Sequence, residues 1–219
     1  MSRGSRLTTT SYALLGLLAI QPWSAYELAQ QMDRGLGRIW PRAASKLYEE
    51  PKKLVELGLA RASRDAVGKR TRTVYAITPA GRAALRAWLG EPGAGPVLEF
   101  EQLVKIFFAD QGTTPDTLAI LAAVHAWAVE RNSANLAVAR AYQVGQGPFQ
   151  RRAAQTLLAG RFLTDFYAMV ASWARWASGV VERWPADPAD AQVDQAALDE
   201  TVEKATWSAE HEIGDGFSA

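Results

Sequence analysis

The sequence predicts a mostly α-helical protein: an N-terminal winged helix-turn-helix with a two-stranded β-wing, then a C-terminal dimerisation domain of long helices. Three observations predict it. Residues 8–90 run in the order helix, helix, helix, hairpin, helix. Helical patterns of 28 and 36 residues follow at Pro115–Tyr142 and Phe149–Trp184, longer than the usual globular helix. Charge divides at the same place. The first 90 residues carry 15 Lys+Arg against 6 Asp+Glu, and the remaining 129 carry 9 against 17. The chain's net charge of +1 is therefore the near-cancellation of +9 and −8, and a basic half suits a polyanionic partner.

Each element has its own signal. Thr10 or Ser11 can cap a first helix through Ala19, whose leucines at 14, 15, 17 and 18 give it a broad apolar face. Pro22 ends it. Ser24 caps a second helix from Ala25 to about Arg34, with Glu27 completing a capping box. Gly35 and Gly37 close that helix, and Trp40-Pro41 leads into a third, Arg42 to Leu57, stopped by Gly58. Leu59–Arg64 and Arg70–Thr78 read as the strands of a hairpin with Asp65–Lys69 as its turn. Thr78-Pro79 opens a fourth helix, Ala80–Leu89. The Gly- and Pro-rich run from Gly90 to Pro96 marks a linker. Helices are expected near Glu99–Asp110, Pro115–Tyr142, Phe149–Trp184 and Asp194–Glu212. The domain division is then a disordered arm at 1–7, the winged helix at 8–90, a linker at 91–98 and the helical domain at 99–219.

Composition removes several function classes. The chain has no cysteine, which excludes disulfides, thiolate metal sites and cysteine nucleophiles and fits a reducing cytoplasm. His125 and His211 stand alone, and no metalloprotease, nucleophile-elbow or phosphate-loop motif is present. The expectation is a non-enzyme with no cofactor and no metal. Arg3, Arg6 and the apolar run Tyr12–Ile20 imitate a signal peptide. Bulky Trp23 before Ser24-Ala25, together with Gln21 and Pro22, argues against a cleavage site. The apolar run Leu118–Val129 is too short to span a bilayer, so no membrane partner is expected.

At about 100° per residue, Ala43, Leu47, Pro51 and Leu54 form the inward stripe of the third helix. Its N-terminal end is the part that enters a major groove, so Arg42, Ser45 and Lys46 are the base-edge candidates. Lys52 and Lys53, farther along, are placed to meet phosphates. Glu49 is tolerable there only if it accepts from a cytosine amine. Lys69, Arg70 and Arg72 crowd the hairpin tip with Asp65 as the one nearby acid, a pattern suited to the DNA backbone or minor groove. A winged helix that binds protein rather than DNA is the alternative.

Taken together, Leu14-Leu15-Gly16-Leu17-Leu18, Ser24-Ala25-Tyr26-Glu27-Leu28, Leu47-Tyr48, Gly58-Leu59 and Val74-Tyr75 through Ile77-Thr78-Pro79 and Gly81 resemble the PadR family of bacterial transcriptional regulators. The resemblance covers residues 8–90 closely, and the later half only in helix order and at Glu99–Asp110. It implies a winged-helix homodimer, usually a repressor at a palindromic double-stranded DNA operator, released by a small molecule or another signal. It also implies Tyr48 as a contact near the phosphates and Tyr75 as a wing-base residue packed on the core. One departure stands out. Many members have Pro directly after the recognition-helix Tyr; here Glu49 follows and Pro comes at 51. Pro51 lacks an N–H and pushes on the Leu47 carbonyl, so a kink or restart is expected.

In the helical half Phe162, Phe166, Met169, Trp173 and Trp176 recur at spacings of three or four and share one helix face. One reading makes them core and dimer seam, with Phe162, Phe166, Met169 and Trp173 at the seam. The other makes Trp127, Trp173 and Trp176 the walls of a pocket for a flat aromatic or apolar effector. The sequence leaves both open. His125 reads as a packed or surface histidine.

Overall fold

The computed structural model describes residues 7–41, 44–67 and 70–206. Arg42, Lys69, His211, nearly all of the expected N-terminal arm and the end of the expected last helix lie outside them. The chain divides into two compact units, Met1–Pro96 and Val97–Ala219.

In the first unit, α1 (Thr9–Ile20) is capped by Thr8, two to three residues earlier than the sequence suggested. Ser11 sits at the third helical position, accepts from the Thr8 backbone N–H at 2.9 Å and closes a capping box. Thr10 and Ser11 are instead buried, and so are Leu14, Leu15, Leu17 and Leu18. This helix is the unit's central core element. Trp23 and Ser24 form a two-residue strand, β1, that the sequence did not reveal. Trp23 is buried, and its indole N–H donates to the Leu17 carbonyl at 3.1 Å.

Ser24 caps α2 (Ala25–Gln31), and the predicted box with Glu27 is present. The helix does not continue to Arg34 in α form; it widens into one π-turn at Met32–Leu36. Helix α3 (Ala44–Glu56) runs through Pro51 without the expected restart. Leu47, Pro51 and Leu54 are all buried, so the proline ring serves as core. Gly58 ends α3 in the left-handed region at φ +70°, where a side chain would be strained.

Strands β2 (Ala60–Val67) and β3 (Arg70–Ile77) pair antiparallel from Ala60 opposite Ile77 to Val67 opposite Arg70. The strands thus absorb most of the residues expected as turn. β1 adds to the far side of β3, with Trp23 opposite Tyr75, giving the order β1-β3-β2. Tyr75 is buried, as a wing-base residue should be. Thr78 caps α4 (Pro79–Leu89), and its hydroxyl donates to the Gly58 carbonyl at 2.7 Å. Trp88 of α4 stacks on Tyr12 of α1, 4.8 Å between centroids and 4° between planes.

The second unit is helical. Helix α5 (Glu101–Phe107) is short, followed by a 3-10 turn at Ala109–Gln111. α6 (Thr114–Gln143) and α7 (Ala153–Val181) form an antiparallel hairpin. Leu121 packs with Ala177 and Val181, Val124 and Ala128 with Val170 and Ala174, and the Asn135 amide donates to the Gly160 carbonyl at 3.0 Å. The long helix expected from Phe149 to Trp184 is shorter at both ends, because Gln150–Arg152 takes a 3-10 turn and a turn follows Val181. α8 (Gln195–Ala205) is capped by Asp194, whose carboxylate also accepts from Arg183. No helix among the described residues is long and apolar enough to cross a membrane.

Candidate nucleic-acid interface

The helix-turn-helix presents the outer face of α3. Tyr48 is 39% exposed, and Glu49 and Lys52 lie open beside it, paired at 3.3 Å. An exposed pair of this kind is worth about 0–1 kcal/mol, so it holds the Lys52 ammonium only weakly. Ser45 and Lys46 fall in the first turn of α3. Lys53 stands differently. Its ammonium is 3.1 Å from Glu50 in a largely covered pair, and Glu50 also accepts from the buried Ser11 hydroxyl. That chain of polar contacts ties α3 to the start of α1.

On the wing, Arg70 sits at the start of β3, opposite Val67. Arg72 is half exposed but doubly engaged: its guanidinium lies 2.8 Å from Glu27 on α2 and 3.4 Å from Asp65 across the sheet. The Ser24 backbone N–H and hydroxyl, with a contribution from Arg72, hold the Glu27 carboxyl below its usual range despite some desolvation. One carboxylate therefore caps α2 and tethers the wing. Arg72 is a strut between wing and helix-turn-helix in this arrangement.

Two cations that the sequence reading passed over, Arg61 and Arg64, are exposed on β2 and make no ion pair among the described residues. Their charge beside the basic hairpin tip could have marked them, although at i and i+3 they point to opposite faces of the strand. No group of three or more potential metal ligands occurs among the described residues.

The aromatic residues of the second unit are spread over core and surface. Trp173 and Trp176 pack against the buried Leu121, Ala177 and Val181, and the Trp176 indole N–H donates to Glu200 on α8 at 2.7 Å. Trp127 is 37% exposed, edge-on to Tyr167 at 5.7 Å and beneath the Arg131 guanidinium. Phe166 is half-buried against the core, whereas Phe162 and Met169 are more than half exposed.

A model of the Transcriptional regulator PadR-like family matches residues 14–87. "Probable transcriptional regulator Rv1176c" of Mycobacterium tuberculosis is 34% identical over 82 residues, which are 37% of this chain and 43% of that protein. "Negative transcriptional regulator PadR" of Bacillus subtilis is 33% identical over 79 residues, 36% of this chain and 43% of that protein. The chain thus spans less than half the length of these curated relatives in the matched stretch. The fold likeness extends further. Bacillus subtilis PadR, solved in complex with operator DNA, has a TM-score of 0.66 at 20% identity over 80% of this chain and 99% of its own. The same protein solved with p-coumaric acid has a TM-score of 0.61 at 21% identity, with 80% of this chain and 100% of its own covered. The capping box at Ser24–Glu27, the Pro-containing helix α3 and the wing closed by Tyr75 all fall within residues 14–87, the stretch that matches the PadR-like family model.

Proposed function

We propose that this protein is a sequence-specific, DNA-binding transcriptional regulator that acts in the cytoplasm as a homodimer at a palindromic operator, most simply as a repressor. The observation that carries the reading is a winged helix-turn-helix within the 90 residues that carry a net charge of +9, in a chain whose remaining 129 carry −8. Ser45 and Lys46 read base edges from the start of α3, together with Arg42, which precedes them in the sequence. Tyr48, Lys52, Lys69 and Arg70 meet the backbone, joined by Arg61 and Arg64. Lys53 and Arg72, already held by carboxylates, set the positions of α3 and the wing. The dimer forms through the long helices, with Phe162 and Met169 at the seam and Phe166 and Trp173 supporting it from beneath.

A small aromatic or apolar effector is the signal that this reading expects, bound beside Trp127 and over Trp173 and Trp176. The p-coumaric acid complex of the Bacillus protein supports that ligand class. The test is selection of bound duplexes from a random pool, followed by titration of the winning sequence at several salt concentrations. A palindromic consensus with steeply salt-dependent affinity is expected. Recovery of no consensus, with equal affinity for all duplexes, would leave the winged helix as a protein-binding module.

A further inference from the structure

The connection between α2 and α3 carries a feature that the DNA-facing residues do not explain. At its end α2 widens into the π-turn Met32–Leu36, and such turns gather at functional sites. Gly37 follows so close to that turn that a Cβ there would lie 2.5 Å from the Asp33 carbonyl oxygen. The backbone N–H groups of Ile39 and Trp40 then both donate to the Leu36 carbonyl, at 2.9 and 2.7 Å. Trp40 is also fixed to α1, because its indole N–H donates to the buried Thr10 hydroxyl at 3.1 Å.

This path leaves a cleft of about 190 Å³. Its walls include Ala29 and Met32, then Trp40 and Pro41 of the connection, then Leu47 of α3. Met32 and Leu47 belong to the core, so an occupant would rest on side chains that seat α3 against α2. Among the described residues Asp33 is the one charged side chain in the lining. It is exposed and makes no ion pair among the described residues. A cavity of about 150 Å³ accepts benzene, so this cleft has room for one ring with a short side arm. Apolar walls with a single convergent carboxylate fit a ligand that is apolar in its body and positive at one end. A metal ion would need more ligands than that, and no group of three potential ligands occurs among the described residues.

We propose that this cleft binds a small organic cation, a protonated amine on a body the size of one ring. The ammonium sits at Asp33 and the ring lies against Met32, Trp40 and Leu47. The site falls wholly within the first unit and is separate from the aromatic cluster around Trp127. The net charge of +9 on the first 90 residues would by itself favour an anion. A preference for the cation therefore isolates the contribution of Asp33. An occupant that touches both the π-turn and α3 also holds them together, since a ligand lowers the population of the open forms it does not bind.

The test uses the full chain without DNA, titrated calorimetrically with phenethylamine, phenethyl alcohol and phenylacetate. The amine should bind about fivefold or more tightly than phenylacetate, with the alcohol between them. In Asp33→Asn, which removes the charge and keeps the size, that preference should fall below about twofold. Hydrogen exchange locates the ligand: phenethylamine should slow exchange across Met32–Leu36 and α3. Ala29→Leu, which fills the cleft, should abolish that protection while circular dichroism shows unchanged helix content. If this variant does not fold, the comparison of wild type with Asp33→Asn decides. Equal binding of amine and phenylacetate, an unchanged preference in Asp33→Asn, or protection confined to α6 and α7 would each overturn the proposal. With no DNA present, none of these outcomes bears on operator binding.

Discussion

Arg72 and Glu27 are 45 residues apart in sequence and meet at 2.8 Å, and their pairing changes what each is expected to do. A guanidinium held by two carboxylates adds little net charge to the wing. Arg72→Ala should therefore weaken binding to all duplexes by loosening the wing while leaving the salt slope unchanged. Lys52→Ala or Arg64→Ala should flatten the slope by about one unit each. Titrations against duplex at several salt concentrations distinguish the two patterns, and a flattened slope for Arg72→Ala would return it to the phosphate contacts. Glu27 also sets a pH response. Its carboxyl is depressed in the fold, so its contribution is complete above its ordinary value near 4.5 and is lost as pH falls through the lower folded value. Urea unfolding should show stability declining as pH falls below about 4.5, with a smaller decline in Glu27→Gln.

At the scale of elements, close approach and capping decide where helices sit. A Cβ on Gly81 would lie 2.1 Å from the Leu59 carbonyl oxygen, so Gly81→Ala must push α4 off the start of β2. A loss of about 2 kcal/mol or more in denaturant unfolding is expected, against about 1 kcal/mol for removal of the Ser24 cap in Ser24→Ala. Much of this level was legible in the sequence. The Ser24–Glu27 box, the Thr78-Pro79 start, the Gly58 stop and the stripe of Leu47, Pro51 and Leu54 each carry a local chemical signal. β1 was not legible, because two residues have no period and their pairing partner, β3, is some fifty residues away. The hairpin turn was drawn too long, since Asp65 and Ala66 resemble turn residues until the in-line register with Arg72 and Thr71 is known. At Pro51 a kink or a restart was expected, and the restart is absent. The proline rule concerns the backbone, and here burial of the ring against the core accompanies an unbroken helix. Among the site residues, exposure could be read from helix and strand period, but the covered pairing of Lys53 with Glu50 depends on the distant Ser11.

For the whole molecule, a basic winged-helix unit is joined to an acidic helical unit that exposes Phe107, Phe108, Leu158, Phe162 and Met169. If an effector bound beside Trp127 released DNA 100-fold, the coupling would be about 2.7 kcal/mol, and operator would weaken effector binding by the same factor. Tryptophan quenching with p-coumaric acid as probe, with and without operator, reads both sides of that linkage. Equal affinity in the two states would leave Trp127, Trp173 and Trp176 as packing residues alone. The most direct test of the central claim is titration of the full chain against its selected operator, intact and with the half-sites moved apart by five base pairs. Half a turn places the second site on the opposite face of the duplex. The account predicts nanomolar-range binding to the intact palindrome at moderate salt and a loss of at least about tenfold on displacement. Equal affinity for the intact, displaced and unrelated duplexes would contradict it.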